Sequence, residues 1–144
     1  MKKILVPFDG SEFSQKAFQK GLEVAEKFES NLIVLTVIQS KISDSTGMSL
    51  ERVQEIQDEE EDAATTVLKK LESQANAKNV SFSMEIIHNP STPDGIIVFA
   101  ESNNVDLIVI GSHGRTGFRK LVLGSVANGV LSHAKCPVLV TKGM

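Results

Sequence analysis

The stretch DLIVIGSHGRTGFRKLVLGS, residues 106–125, joins an apolar run to a glycine-rich segment. Residues 107–110 are apolar throughout, as is typical of a strand buried on both faces of a sheet. Gly111 and Gly114 follow at once, and a Gly-Ser pair closes the stretch after nine further residues. Glycine has no Cβ, so successive backbone N–H groups can turn toward an anion. The pattern predicts an anion-binding loop at the carboxyl end of a strand; the alternative is a loop that only needs flexible turns.

Apolar runs alternate with helical patterns along the rest of the chain. Strands are predicted at residues 3–8, 31–38, 80–87, 107–110 and 136–141. Helices are predicted at residues 12–29, at 49 to about 78, after residue 92 and at 125–133, with Ser49, Thr92 and Ser125 as N-caps. Strands that alternate with helices and are apolar on both faces favour a parallel sheet covered by helices on both sides.

The predicted fold is a single Rossmann-like α/β domain over residues 1–144, an open five-stranded parallel sheet in the order 3-2-1-4-5. This order needs only right-handed crossovers and makes strands one and four neighbours. In open α/β sheets, ligands bind beyond the carboxyl ends of the strands, where the winding direction reverses. We therefore expect the turn after strand one, residues 9–11, to face the glycine-rich segment.

The composition is that of an ordinary soluble domain, with 41% hydrophobic and 23% charged residues. No apolar run approaches the ~20 residues that span a bilayer, and no signal peptide is recognisable, so we expect a cytoplasmic protein that does not enter membranes. Trp and Tyr are absent, which disfavours an aromatic platform for nucleic acid. Cys136 is the one cysteine, so an internal disulfide is impossible.

The net charge of −3 conceals an asymmetry along the chain. Residues 107–144 contain no Asp or Glu but five Lys and Arg residues, which favours an anionic ligand there. The acidic run at residues 58–62 is interpreted as a solvated helix face, because consecutive helix residues diverge and do not converge on a metal.

The candidate ligand contacts divide by their chemistry. Backbone N–H groups of Gly111 and Gly114 would approach phosphates, and Gly124 would let the backbone come close. Ser125 as N-cap would place the positive end of the last helix at the ligand. Arg115 would either neutralise phosphate charge or lie solvated.

Two further residues have competing interpretations. Asp9 would accept hydrogen bonds from a base or sugar, or share a divalent cation with phosphates, or act only as a helix N-cap. His113 would take part in acid–base chemistry or be an ordinary loop residue.

Several nucleotide and hydrolase motifs are missing. The chain has no Gly-x-x-x-x-Gly-Lys-Ser/Thr, no Gly-x-Gly-x-x-Gly after the first strand and no Gly-x-Ser-x-Gly. A phospho-receiver domain would need an acidic pair after strand one, where only Asp9 stands, and an aspartate after strand three, where His88 stands. These absences disfavour P-loop, dinucleotide-binding, serine hydrolase and receiver functions.

The run Gly111-x2-Gly114-x9-Gly124-Ser125 resembles the ATP-binding signature of the universal stress protein family. The opening KILVPFDGS, residues 3–11, and the ending CPVLV, residues 136–140, are also similar to that family. The resemblance covers essentially the whole chain and implies an adenine nucleotide alpha hydrolase-like fold that binds ATP, with Mg²⁺ or Mn²⁺.

The resemblance also implies a role for each matching residue. Pro7 and Phe8 would line the pocket, Asp9 would contact the adenine or ribose side, and Val37 would meet the adenine through its backbone. The remaining contacts divide into a group around the ribose and phosphates, Ile110, Gly111, Ser112, His113 and Gly114, and a group around the phosphate tail, Gly124, Ser125 and Val126.

Three functions remain open from the sequence. The first is a nucleotide-binding regulatory protein, the second a slow ATPase or nucleotide-dependent transferase, and the third an interaction scaffold. Hydrolysis needs a group that positions water, and no clear catalytic base stands out. The family resemblance further implies a homodimer through the last strand, at Val138, Leu139 and Val140.

Overall fold

The structure is a computed structural model, and it describes residues 1–39, 47–113 and 123–142. The helices and strands follow one another in the predicted order: β1 Lys3–Pro7, α1 Glu12–Phe28, β2 Asn31–Ile38, α2 Leu50–Ala77, β3 Phe82–His88, α3 Thr92–Ser102, β4 Leu107–Gly111, α4 Ser125–His133 and β5 Val138–Thr141. The third and fifth strands each begin two residues later than predicted.

The five strands form one parallel sheet in the order β3-β2-β1-β4-β5, which confirms the predicted topology. Lys3 pairs with Asn31 in β2, and Ile4 on the same strand pairs with Leu107 in β4. The winding direction therefore reverses between β1 and β4. The turns that follow these two strands lie beside each other at the carboxyl edge of the sheet.

Each face of the sheet is covered by two helices. On one face, Phe18 of α1 and Leu68 of α2 are fully buried against alternate residues of the strands, such as Val6. On the other face, Ile96 of α3 and Val130 of α4 pack against Ile108 and its neighbours. This alternation arises because successive side chains of a strand point to opposite faces, and the three inner strands are apolar at both.

Side-chain caps define where three of the helices begin. Ser11 accepts a hydrogen bond from the Ser14 N–H, and Ser49 accepts one from the Arg52 N–H. The cap of α3 is Ser91, which accepts from the Asp94 N–H. The prediction of Thr92 as N-cap was wrong by one residue, because a serine directly before it competes for the same position.

The long helix α2 is acidic and exposed along most of its length. Its buried residues, Leu68, Leu71 and Ala75, all lie in its last third, where it packs beside β3. The acidic run at residues 58–62 has four exposed residues, and the fifth, Glu61, bonds to His88. In the part of the chain that the structure describes, no helix is both long and apolar enough to cross a membrane.

Candidate functional site

The carboxyl edge of the sheet brings together the two turns that the sequence singles out. The turn after β1 carries Phe8 and Asp9, and the turn after β4 carries Ser112 and His113. Since β1 and β4 are neighbouring parallel strands, these residues lie on either side of the crevice where open α/β sheets accept ligands.

Phe8 is held between the strands rather than exposed in the crevice. Its N–H donates to the Leu35 carbonyl at 2.8 Å, and its carbonyl accepts from the Thr36 hydroxyl at 2.9 Å. Its ring is only 5% exposed and belongs to the core beneath α1. A contact between Phe8 and a ligand stays a prediction.

Asp9 organises the turn that leads into α1. Its Oδ1 accepts a hydrogen bond from the Ser11 N–H at 2.9 Å across Gly10, whose φ of 84° lies in the left-handed region that favours glycine. Because Ser11 is the N-cap of α1, the interpretation of Asp9 as the cap itself is wrong. The carboxylate instead stiffens the turn beside the crevice.

Val37 has backbone groups directed at the crevice. The Leu35 carbonyl faces β1, because it accepts from Phe8, and the Ile38 carbonyl faces β3, because it accepts from the Asn89 N–H. Backbone groups alternate sides along a strand, so the N–H and carbonyl of Val37 point toward β1. β1 ends at Pro7, opposite Leu35, and no backbone group of the described residues bonds to Val37 from that side.

Ser112 connects β5, β4 and α4 through its backbone. Its N–H donates to the Thr141 carbonyl at 2.9 Å, and its carbonyl accepts from the Gly124 N–H at 2.7 Å. Gly124 is the N-cap of α4. The first turn of α4 is therefore fixed at the carboxyl end of β4, although Gly124 lies twelve residues further along the chain.

The N-terminus of α4 lacks a side-chain cap. Gly124 has no side chain to supply one, and Ser125 is the first helical residue, so the prediction of Ser125 as N-cap was wrong. Ser125 is exposed and Val126 is half-buried against the second core. Since no side chain of the described residues caps the first turn of α4, its first N–H groups can bond to water or to a ligand, and the helix dipole places partial positive charge there.

Gly111 has a packing role that the sequence did not reveal. A Cβ at this position would lie 2.8 Å from the carbonyl oxygen of Phe13 in α1. The backbone of α1 therefore touches the last residue of β4, which only glycine allows. A glycine directly after an apolar run is expected both where two backbones pack closely and where a backbone binds an anion. The sequence pattern therefore does not distinguish these two roles.

His113 lies against α1 and is bonded to its own neighbour. Its Nδ1 is 3.0 Å from the Ser112 hydroxyl, and its ring centroid is 5.1 Å from that of Phe13. Its Nε2 is buried and has no hydrogen-bond partner among the described residues. Ser112 itself is 5% exposed.

The structure brings most of the predicted site residues to one edge of the sheet, and their contacts with a ligand stay predictions. Pro7, Asp9 and Val37 lie on the β1 and β2 side of the crevice, and the residues of β4 and α4 lie on the other, although Ile110 is 4% exposed and belongs to the core. Gly114 and Arg115 lie outside the described residues. Across residues 1–39, 47–113 and 123–142, no group of three or more His, Cys, Asp or Glu residues is arranged to hold a metal.

A separate hollow lies at the opposite, amino edge of the sheet. Its cavity of about 330 Å³ is bordered by the ends of α3 and α4 and by Cys136, which is half-buried. Burial raises the pKa of the Cys136 thiol, which keeps it protonated and unreactive.

The whole chain is similar to known proteins of one family. Residues 1–142 match the model of the universal stress protein family. Universal stress protein MJ0531 of Methanocaldococcus jannaschii is 35% identical, over 98% of this chain and 82% of its own length.

Solved structures share the fold as well. Universal stress protein UspA from Lactobacillus plantarum superposes with a TM-score of 0.84 at 25% identity, over 96% of both chains. A universal stress protein from Archaeoglobus fulgidus, solved in complex with dAMP, superposes with a TM-score of 0.67 at 21% identity, over 97% of both chains.

Proposed function

The chain belongs to the universal stress protein family, and from that premise we propose that it binds ATP as a nucleotide-dependent regulatory protein. Occupancy of the site would bias dimerisation or the binding of a partner in a cytoplasmic stress response. Mg²⁺ or Mn²⁺ would enter on the phosphate oxygens, which are the ligands that these hard cations prefer.

The observation that carries the proposal is the position of the α4 N-terminus. Gly124 is bonded to Ser112 at the end of β4 and leaves the first turn of α4 without a side-chain cap. A helix N-terminus offers both unpaired N–H groups and partial positive charge, which together favour a phosphate. Residues 107–144 contain no Asp or Glu, so no carboxylate from this part of the chain repels a phosphate.

Val37 supports adenine as the base. Its N–H and carbonyl face the space beyond the end of β1. Adenine carries a donor, the N6 amino group, next to the N1 acceptor, and these match a carbonyl and an N–H on one residue. Guanine carries an acceptor at the position of the amino group and a donor at N1, so the same backbone groups would oppose it. The Archaeoglobus fulgidus protein of the same fold was solved in complex with dAMP, and this supports adenine as the base.

The edge strand β5 supports a homodimer. Ile108 and Ser112 donate their N–H groups to Pro137 and Thr141, so these two carbonyls face β4. Because backbone groups alternate, those of Val138 and Val140 face away from the sheet, where a second copy could add its own strand. Leu139, 39% exposed, would then lie beside its counterpart across the two-fold axis.

Binding is a better-supported function than rapid turnover. ATP hydrolysis needs a residue that positions water and groups that stabilise the developing charge. In the described turns after β1 and β4, the ionisable side chains are Asp9 and His113. Asp9 accepts a hydrogen bond within the turn before α1, and Nδ1 of His113 is bonded to Ser112. We therefore expect slow phosphate release at most.

Calorimetry and a phosphate assay on the same purified protein test this function. ATP is expected to bind one site per chain in the presence of Mg²⁺, with an affinity at least about fivefold higher than that of GTP, because a buried mismatch of donor and acceptor costs about 1–3 kcal/mol. Equal affinity for GTP would contradict the role of Val37. Fast hydrolysis of ATP over many turnovers would contradict the regulatory function and indicate an ATPase.

A further inference from the structure

We propose that Ser112 is a positioning residue that holds neutral His113 with its proton on Nε2, so that the ring donates a hydrogen bond to an oxygen of the bound nucleotide. This inference rests on the proposed function for the identity of the ligand. The hydrogen bond between Ser112 and His113, and the tautomer that it sets, do not depend on which ligand binds.

The hydroxyl proton of Ser112 determines the tautomer. Ser112 is 5% exposed, and among the described residues the partner of its hydroxyl is Nδ1 of His113, at 3.0 Å. A buried hydroxyl that leaves its proton without an acceptor loses free energy. If Nδ1 carried the ring proton, the Ser112 hydroxyl would accept that proton, and both the hydroxyl proton and the Nε2 lone pair would be unpaired, whereas a proton on Nε2 leaves only the Nε2–H unpaired. The hydroxyl therefore donates to Nδ1, and a neutral ring carries its proton on Nε2.

The backbone of Ser112 keeps this arrangement rigid. Its N–H and carbonyl are both bonded, to Thr141 and Gly124 respectively. The backbone of Ser112 is thus fixed to β5 and to α4 at once. Because this backbone has little freedom, the side chain starts from a fixed position. The ring of His113 is confined from the other side by Phe13, at 5.1 Å between centroids.

The second ring nitrogen of His113 has no hydrogen-bond partner among the described residues. This nitrogen, Nε2, is buried. In the tautomer set by Ser112 it is a donor, and an acceptor oxygen would satisfy it. His113 directly follows the residue that anchors the α4 N-terminus, where the proposed function places phosphate and ribose oxygens. The atoms that cover Nε2 must move aside for such a contact, so binding should alter the packing of His113 on Phe13.

Nuclear magnetic resonance of the free protein tests the tautomer. In a ¹⁵N-labelled chain at about pH 8.5, where free imidazole is neutral, two-bond ¹H–¹⁵N spectra distinguish Nδ1–H from Nε2–H rings. The His113 signals are assigned by their loss in His113→Gln. We expect the Nε2–H pattern, with an Nδ1 shift displaced by the Ser112 hydrogen bond. An Nδ1–H pattern overturns the proposal.

Variants of Ser112 test the positioning role. Ser112→Ala should move the Nδ1 shift toward the value of an unbonded nitrogen and lower ATP affinity by about fivefold, while Ser112→Thr, which keeps the hydroxyl, should retain more of both. Circular dichroism of each variant confirms that it is folded. An unchanged Nδ1 shift in Ser112→Ala contradicts the proposed hydrogen bond.

A pair of His113 variants tests the donor. The amide nitrogen of Gln reaches about as far as Nε2, whereas that of Asn reaches only as far as Nδ1. His113→Gln should therefore bind ATP about fivefold more tightly than His113→Asn. Equal affinities overturn the donor role. If the wild-type protein fails to bind ATP, the proposed function is contradicted, and the tautomer spectrum still decides the role of Ser112.

Discussion

The backbone N–H of Gly124 donates to the carbonyl oxygen of Ser112 at 2.7 Å, and this bond fixes the first turn of α4 to the end of β4. It sets the position of the first N–H groups of α4, which no side chain of the described residues caps. The proposed phosphate site depends on this one connection more than on any side chain.

Gly124→Val is expected to weaken ATP binding by at least about tenfold, because a branched side chain would occupy the approach of the phosphates to α4. Gly124→Ala, with one methyl group, should weaken binding less. Asn128→Val places the same branched side chain at an exposed position one turn further along α4 and serves as the control. If Gly124→Val binds ATP as the wild type does in calorimetry, the phosphates do not lie at this helix.

Gly111→Ala is expected to lower the free energy of unfolding by about 1–3 kcal/mol, the usual cost of forcing a group into a packed interior. Its Cβ would lie 2.8 Å from the Phe13 carbonyl oxygen, and a backbone atom cannot move aside as a flexible side chain can. Urea unfolding of Gly111→Ala and of the wild type measures the difference. Equal stability of the two proteins would show that α1 does not press on β4.

The topology was predictable because four of the five strands are short, mainly apolar runs and each helix follows a turn or cap signal. Runs such as residues 107–110 are apolar at every position, as is typical of strands in a sheet covered on both faces. The helix boundaries were less predictable. Ser91 and Thr92 are both good caps, and Gly124 and Ser125 likewise, so composition alone does not choose between neighbours.

The site was only partly predictable. The edge proposed for the ligand followed from the strand order, but the proposed role of Val37 was implied by the family resemblance and gained a physical reason only from the ends of β1 and β2. The contact of Gly111 with Phe13 and the bond between Ser112 and His113 depend on the distance between elements and on side-chain rotamers. No pattern in the sequence specifies either.

Asp106 predicts a pH dependence of stability. The backbone N–H groups of Lys3 and then Lys2 donate to its carboxylate and lower the pKa of Asp106 below its ordinary value. A carboxyl with a lowered folded pKa stabilises the fold above its unfolded pKa, and this contribution is lost as the pH falls through the folded pKa. Asp106→Asn should therefore be less stable than the wild type at neutral pH.

The difference in the free energy of unfolding between Asp106→Asn and the wild type should become smaller in acid. Urea unfolding at pH 7 and at about pH 2.5, below the usual range for Asp, makes the comparison, and Glu72→Gln on the exposed face of α2 is the control for removal of a surface carboxylate. A difference that stays constant between the two pH values would contradict the stabilising role of the charged form.

Val140→Pro is expected to convert the proposed dimer to a monomer, because proline lacks the N–H that would face the second copy. Val140→Thr keeps the N–H and the branched shape and should leave the dimer intact. Light scattering measures the mass. Leu139→Lys, at a position 39% exposed, provides a second variant with little risk to the fold, and a dimer that survives both changes would exclude β5 as the interface.

Addition of ATP and Mg²⁺ to the ¹⁵N-labelled protein, followed by amide ¹H–¹⁵N spectra, tests most directly whether an adenine nucleotide binds at the carboxyl edge. The account predicts saturable shifts concentrated at Val37, at Ser112 and at the first turn of α4, with Lys78 and Val80 at the opposite edge unaffected. An absence of shifts at saturating ATP, or shifts concentrated at the amino edge around Cys136, would contradict it.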